Sequence, residues 1–215
     1  MYNGVLSLRN RRRIEGYLAQ KWGLTSSLPN YHPFQTITPL HPEPITPIYD
    51  SANGYITFNG SEYLTLPNST IPSGNSDYTM FLYLNTKAST ETQWTLFSGQ
   101  QTANLALGSF INTSNIVQSW WTNNLTGNLS LSNNVGYLTS YTYSANVRSM
   151  YINGSLVGMD NVSVRNSNIA NNIIGNNNSF DIGLLGKIGD IVVYNRLLAI
   201  HERRAVENYI LSRRS

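Results

Sequence analysis

About ten short runs of β-branched and aromatic residues fill residues 48–195, and they constrain the fold more than any other feature of the chain. Runs such as "YTMFLYLNT", "QWTLFSG" and "KIGDIVVYN" have the length of single strands, and Gly, Asn, Pro and Ser separate them. No helical periodicity lies between them, which argues against alternating β and α units. The pattern predicts an all-β protein, built either as an antiparallel two-sheet sandwich or as a barrel.

One turn inside this region can be assigned in detail. The stretch Ile152-Asn153-Gly154-Ser155 joins two apolar runs. Asn and Gly take positive φ more readily than other residues, so this stretch predicts a two-residue hairpin turn.

The two ends of the chain are copies of one element. Residues 2–23 align without gaps on residues 194–215, at a constant offset of 192. The identical pairs are Tyr2/Tyr194, Asn3/Asn195, Leu6/Leu198, Arg11/Arg203, Arg12/Arg204, Glu15/Glu207 and Tyr17/Tyr209. Both copies continue with helical periodicity, so the sequence predicts an extra N-terminal helix and a closing helix over 199–214. The second copy keeps Glu202 from a capping box but has Ala199 where the box wants Ser or Thr.

Each of these helices has an apolar stripe that must be buried somewhere. We expect it to lie on the sandwich, on the other helix or on a neighbouring protein. The candidate protein-contact residues are Ile14, Tyr17, Leu18 and Trp22 in the first copy and Val206, Tyr209 and Ile210 in the second.

The charge distribution argues against nucleic acid as a partner. The formal net charge is +3, but the basic residues concentrate at the two ends, and residues 48–195 carry more acidic than basic side chains. The absence of cysteine excludes disulfides and thiolate metal sites. No apolar run has the length of a membrane span, and the first residues carry "RNRRR" in place of the apolar core of a signal peptide.

Several runs resemble the laminin-G-like, concanavalin A-like lectin and glucanase sandwich superfamily. "MYINGSLVG" is similar to the family's hairpin, and "GDIVVYNRLL" is similar to its closing strand and turn. "IEGYLAQKWGLTSSLPNYHPF" resembles the tail that follows the closing helix in many bacterial, phage and large-virus members, but here it precedes the sandwich.

The resemblance implies three segments. Residues 1–23 would be the closing element of an upstream repeat, and residues 24–47 a Pro-rich linker. Residues 48–215 would be a laminin-G-like, concanavalin A-like sandwich, which is an antiparallel two-sheet jelly roll, with its closing helix.

The acidic and histidine residues do not support catalysis. Residues 48–195 contain no Glu-x-Asp or Glu-x-x-x-Glu pair of the kind that glycoside hydrolases place on one strand, and the three histidines lie in the linker and on the closing helix. We therefore expect no enzyme activity and no cofactor. Some family members hold calcium, which leaves calcium as an open alternative. Asp160, Asp181 and Asp190 are the only contributors late in the chain, and no ligand set is assigned.

Aromatic and amide residues indicate a site for sugar. In "SWWTNNLTGN", adjacent strand residues point to opposite faces, so one of the two tryptophans should be exposed. In "SYTYS" the two tyrosines share a face. The candidate glycan-binding residues are Trp120, Trp121, Asn123, Asn124, Tyr141 and Tyr143. The alternative is that these aromatics fill the sandwich or meet a neighbouring subunit. Trp94 is assigned to the core.

Two functions remain. The first is a non-catalytic carbohydrate-binding or adhesion module on a virion or extracellular surface, which binds a glycan or polysaccharide by aromatic stacking and hydrogen bonds. The second is a structural capsid or fibre component, with a minor capsid or cement role, that assembles through the sandwich and helices. The expected protein partners are other virion or surface proteins, including tandem copies of the chain.

Overall fold

A computed structural model describes residues 8–29, 32, 47–86, 91–162, 165–167, 171–177 and 183–214, with backbone alone for residues 8–10, 13 and 17. Contacts divide the chain into two units, Met1–Thr46 and Pro47–Ser215. The first unit contains helix α1 (Leu8–Lys21) and a short 3-10 helix, Thr25–Ser27. Most of the predicted linker lies outside the described residues.

The second unit contains the strands and a final helix. They are β1 (Ile48–Asp50), β2 (Tyr55–Asn59), β3 (Leu64–Thr65), β4 (Tyr78–Thr86), β5 (Gln93–Gly99), β6 (Ala106–Asn112), β7 (Asn115–Ser119), β8 (Asn124–Ser130), β9 (Gly136–Ser144), β10 (Val147–Ile152), β11 (Ser155–Asn161), β12 (Ile173–Ile174), β13 (Leu185–Tyr194) and α2 (Ile200–Ser212).

These strands form two sheets, which confirms the predicted two-sheet sandwich. The seven-stranded sheet has the order β1-β2-β13-β4-β9-β10-β11, and the six-stranded sheet has the order β3-β12-β5-β6-β7-β8. Each pair of neighbouring strands named here is antiparallel. The predicted hairpin joins β10 to β11, with φ of 48° at Asn153 and 81° at Gly154.

Strand β4 shows how alternation builds the core. Met80, Leu82 and Leu84 point into the cluster between the sheets, whereas Phe81 and Tyr83 belong to a second cluster on the opposite face of the seven-stranded sheet. A strand buried on both faces needs apolar residues at consecutive positions. The continuous apolar run of "YTMFLYLNT" is therefore a consequence of burial on both faces.

Helix α2 covers that second cluster. Ile210 is 1% exposed and packs with Phe81 and Leu138, and Val206 packs partly against the same cluster. Glu207 accepts a hydrogen bond of 2.7 Å from the Ser140 hydroxyl and pairs with the Arg203 guanidinium of the preceding helical turn. The guanidinium carbon of Arg203 lies 3.6 Å from the centroid of the Tyr151 ring.

The first turn of α2 carries half of a capping box, as the sequence predicts. The Ala199 N–H donates to the Glu202 carboxylate at 2.8 Å, and Arg196 donates to both carboxylate oxygens at 2.8 Å. These bonds, above all those from Arg196, lower the pKa of Glu202 to about 2.

The predicted contact stripe is only partly buried. Val206 and Ile210 pack on the sandwich, but Tyr209 is 61% exposed. In α1, Ile14 is partly buried, whereas Leu18 and Trp22 are 45% and 67% exposed. The Tyr17 side chain lies outside the described residues. None of the described helices is long and apolar enough to cross a membrane.

Replacement of Ile210 by alanine tests how much α2 contributes to stability. Ile210→Ala should lower the free energy of unfolding by about 2–4 kcal/mol, because a buried side chain leaves a cavity. Tyr209→Ala, one residue earlier on the exposed side, should change it by less than about 0.5 kcal/mol. Urea unfolding of both variants is the measurement, and equal effects would contradict this docking geometry.

Candidate functional site

Three of the predicted glycan-binding aromatics lie in the core. Trp120 and Tyr141 are 0% exposed and Tyr143 is 1% exposed, all in the cluster between the sheets. The prediction that they contact a glycan is wrong. Alternation correctly places both tyrosines on one face, but that face is the inner one.

Each buried aromatic has interior partners. The Tyr141 hydroxyl lies 2.6 Å from the Ser109 hydroxyl, and the Tyr143 hydroxyl donates to the Asn75 side chain. The rings of Trp120 and Tyr143 meet edge to face, with centroids 4.9 Å apart. Burial raises the pKa of Tyr141 to about 12, so this phenol stays a neutral hydrogen-bonding group of the core.

The turn between β7 and β8 has a strained backbone. Trp121 and Thr122 have φ of 55° and 61°, the left-handed region that side chains with a Cβ rarely occupy. The Trp120 N–H donates to the Asn123 carbonyl at 3.0 Å, and the Trp121 N–H donates to the Ser119 hydroxyl at 3.1 Å. Two consecutive strained residues persist only where surrounding contacts hold them, and such strain clusters at binding sites.

Arg148 supplies much of that support. Its guanidinium is fully buried, lies 4.7 Å from the Trp120 ring centroid and donates to the Asn123 carbonyl at 3.0 Å. It also forms a salt bridge of 2.6 Å with Asp160 on β11. The turn is thereby tied to two strands of the opposite sheet.

The side chain of Asn123 belongs to this support. Its oxygen accepts from Arg148 at 3.3 Å, and its nitrogen donates to Asn104 at 3.0 Å. The predicted role of Asn123 in binding sugar hydroxyls is therefore replaced by a structural one, because both ends of its amide already have partners. Asn124, the next residue, is exposed.

Trp121 is the tryptophan that reaches the surface. It is partly exposed and stacks on Trp94, with ring centroids 5.9 Å apart and planes 21° apart. Trp94 is buried as predicted, but it lies in a cluster on the outer face of the six-stranded sheet. A Cβ at Gly108 would lie 2.7 Å from the Trp94 ring, so this glycine makes room for the indole beneath Trp121.

Backbone hydrogen bonds join two other loops to the turn that carries Trp121. The Asn104 N–H donates to the Trp120 carbonyl at 2.7 Å, and the Asn166 N–H donates to the Asn104 carbonyl at 2.8 Å. We call this surface the Trp121 rim. It comprises Thr102, Asn104, Trp121, Thr122, Asn124 and Asn166, all exposed or partly exposed and all without charge. Sequence reasoning missed Thr102, Asn104 and Asn166, because only the folded loops bring them to the β7–β8 turn.

A second concavity lies beside α2. This cleft of about 210 Å³ is lined by Thr142, Ser144 and Ser149 and by apolar residues that include Leu197 and Ile200. Its aromatic residue, Tyr151, already has the Arg203 guanidinium over its ring. One face of that ring is therefore already occupied by a charged group, whereas the indole of Trp121 lies among uncharged hydroxyl and amide groups, so the Trp121 rim is the better candidate.

Two of the three aspartates considered as calcium ligands are paired with arginines. Asp160 pairs with Arg148 and Asp190 pairs with Arg214, while Asp181 lies outside the described residues. Within the described ranges, no three His, Cys, Asp or Glu side chains form a group that could hold a metal ion.

Comparison with known families decides the classification. Residues 58–202 match the model of the concanavalin A-like lectin/glucanases superfamily, which is more than half of the chain. The chain belongs to this superfamily. Comparison with curated protein sequences finds no match.

Solved structures with the same fold come from different proteins. Domain 4 of an extracellular arabinanase from Geobacillus stearothermophilus, in complex with arabinotriose, is 17% identical, with a TM-score of 0.57 over 75% of this chain and 80% of that one. The binding domain of botulinum neurotoxin serotype G is 15% identical, with a TM-score of 0.60 over 77% of this chain and 45% of that one.

Domains LG4-5 of the mouse laminin alpha1 chain are 14% identical, with a TM-score of 0.55 over 70% of this chain and 44% of that one. This chain therefore spans less than half of the neurotoxin and laminin structures. At these identities the likeness establishes the fold alone.

Glycine at position 122 tests whether the turn is strained. Thr122→Gly should raise the free energy of unfolding by about 0.5–1 kcal/mol, since the left-handed penalty of a β-branched residue exceeds the entropy that glycine adds to the unfolded chain. Thr126→Gly, at an exposed site in β8, should lower it by about 0.5–1 kcal/mol. Chemical denaturation of both proteins is the measurement, and destabilisation by both substitutions would argue against strain.

Proposed function

We propose that the sandwich is a non-catalytic glycan-binding module and that the Trp121 rim is its binding surface. The observation that carries this proposal is a partly exposed indole held in a fixed position. One side of the Trp121 ring stacks on the Trp94 ring. The left-handed backbone at Trp121 sets the direction in which its side chain leaves the turn. A fixed aromatic surface binds an apolar sugar face with little loss of conformational entropy.

The neighbouring groups suit sugar hydroxyls. Thr102, Thr122, Asn124 and Asn166 are exposed. Hydroxyl and amide groups both donate and accept hydrogen bonds, as sugar hydroxyls do. An uncharged rim favours a neutral glycan over a sulfated or phosphorylated one, because no cation of the rim compensates a desolvated anion.

The carboxylates support binding without catalysis. A glycoside hydrolase needs two carboxyl groups across one bond. Asp160, Asp190 and Glu207 are each held by an arginine in this structure. The arabinanase domain with the same fold was solved with arabinotriose, which supports a sugar ligand for the fold without assigning this one.

Binding of the full chain to a panel of neutral and acidic polysaccharides tests the proposal. Trp121→Ala should weaken binding at least about tenfold, because loss of an aromatic contact costs about 1.5–3 kcal/mol. Trp22→Ala is the matched control, since Trp22 is 67% exposed and lies outside the sandwich. Affinity electrophoresis or calorimetry gives the dissociation constants. Absence of binding to every polysaccharide, or equal binding by both variants, would contradict the proposal.

We further propose that the module acts on a virion or an extracellular surface, where glycans are displayed. The alternative is a structural part of a capsid or fibre. It is favoured by the apolar side chains beside the α2 cleft, where Leu197 and Ile200 are 46% and 67% exposed.

Copy number in purified particles separates the two roles. A fixed number of copies per particle, without glycan binding, would favour the structural role. A protein found only free in solution would contradict the structural role.

A further inference from the structure

Helices α1 and α2 carry the same docking residues. In α2, Arg203, Glu207 and Ile210 form the surface that meets the seven-stranded sheet. The aligned residues of α1 are Arg11, Glu15 and Leu18, which preserve the two charges and the apolar character. The three residues are spaced over successive turns on one side of the helix, so α1 repeats a whole helix surface and not a single position.

The ion pair within that surface also recurs in three dimensions. The Arg11 guanidinium lies 3.3 Å from the Glu15 carboxylate, at the same spacing along the helix as Arg203 and Glu207. In α2 this pair is completed by the sheet, because Glu207 accepts from the Ser140 hydroxyl and Arg203 stacks on the Tyr151 ring.

The two surfaces differ in burial. Leu18 is 45% exposed, whereas its counterpart Ile210 is 1% exposed. The side chains of Arg11 and Glu15 are 60% and 43% exposed, whereas those of Arg203 and Glu207 are 7% and 2% exposed. Helix α1 therefore presents a largely accessible copy of a surface that α2 buries, although the Glu15 carboxylate also lies 3.3 Å from a ring nitrogen of His32.

We propose that α1 docks on the outer face of the seven-stranded sheet of a second sandwich domain of this superfamily, and closes that domain as α2 closes this one. The partner face would have an apolar floor where this chain has Phe81 and Leu138. It would also have a hydroxyl where this chain has Ser140, placed to donate to Glu15, and an aromatic ring where this chain has Tyr151, placed to meet Arg11.

This assignment explains the arginines of α1 better than a nucleic-acid surface does. Arg11 and Arg12 are repeated as Arg203 and Arg204. Arg203 is buried against protein, and its charge is neutralised by Glu207 within the same helix. The inference does not depend on the glycan proposal, since it concerns the opposite sheet and a different helix.

A graft within the full chain tests whether α1 carries the information of a closing helix. In the graft, residues 200–212 are replaced by the sequence of residues 8–20, so that Arg11, Glu15 and Leu18 occupy positions 203, 207 and 210. The matched control carries the same thirteen amino acids in scrambled order at the same positions.

We expect the graft to fold, with a Tm lower by about 5–10 °C, because it loses the Glu202 cap and gains an interior glycine. The scrambled control should lose at least twice as much. If the graft loses as much as the scrambled control, the proposal is overturned.

A second substitution reports the register of the grafted helix, whether or not the scrambled control folds. Ser140→Ala removes the hydroxyl that donates to Glu207. It should lower the Tm of the natural chain and of the graft by the same amount, about 3–8 °C, because the Glu15 carboxylate takes the place of Glu207. A Ser140→Ala shift that disappears in the graft would show that α1 does not dock in the manner of α2, and would overturn the proposal.

Discussion

The buried guanidinium of Arg148 holds the turn at which one of two adjacent tryptophans enters the core and the other reaches the surface. Its charge is balanced by Asp160 on β11, and its other N–H groups hold the Asn123 carbonyl and amide. The guanidinium also lies over the Trp120 ring, which fixes that indole between the sheets. A buried charge is costly unless it is paired and hydrogen bonded, so this position tolerates little rearrangement. The turn that follows Trp120 has a left-handed backbone at Trp121 and Thr122, and the Trp121 side chain packs on the opposite face of the sheet.

The same constraint connects the fold to the proposed function. Arg148 and Asp160 lie on strands β10 and β11 of the seven-stranded sheet, whereas Asn123 lies in a turn of the six-stranded sheet. The pairing therefore links the two sheets at the edge where the Trp121 rim forms. A surface held in this way loses little entropy on binding, which is the physical basis for assigning a ligand to it. The superfamily fold by itself does not assign one, because a fold of this kind is shared by proteins with different functions.

Strand alternation and turn chemistry predicted much of the fold from local sequence. The Asn153-Gly154 hairpin, the apolar run of β4 and the half capping box at Glu202 all depend on residues close together in the chain, and the structure confirms them. The repeat at the two ends located α2 to within two residues of its observed bounds.

Local sequence patterns predicted less of the candidate binding site than of the fold. Alternation indicated that one of Trp120 and Trp121 is exposed, but the choice depends on Arg148, whose partners are 12 and 25 residues away. Tyr141 and Tyr143 share a face as predicted, and only the pairing of β9 with β4 and β10 shows that this face is inward. Asn104 and Asn166 join the rim through tertiary hydrogen bonds that no local pattern encodes. A charged residue inside the strand "VRSMYI" was the one local sign that something polar is held in the interior.

The most direct measurement follows the tryptophan indole N–H signals by NMR while a polysaccharide that binds the full chain is titrated. The Trp121 indole signal should shift and saturate with the ligand, together with the backbone amides of Thr122 and Asn124, because these groups form the rim. The Trp120 indole signal, from a fully buried ring, and the Trp22 signal should stay unchanged. Saturable shifts confined to the α2 cleft, at Tyr151 and Ile200, with no change at Trp121 would contradict the rim as the binding surface.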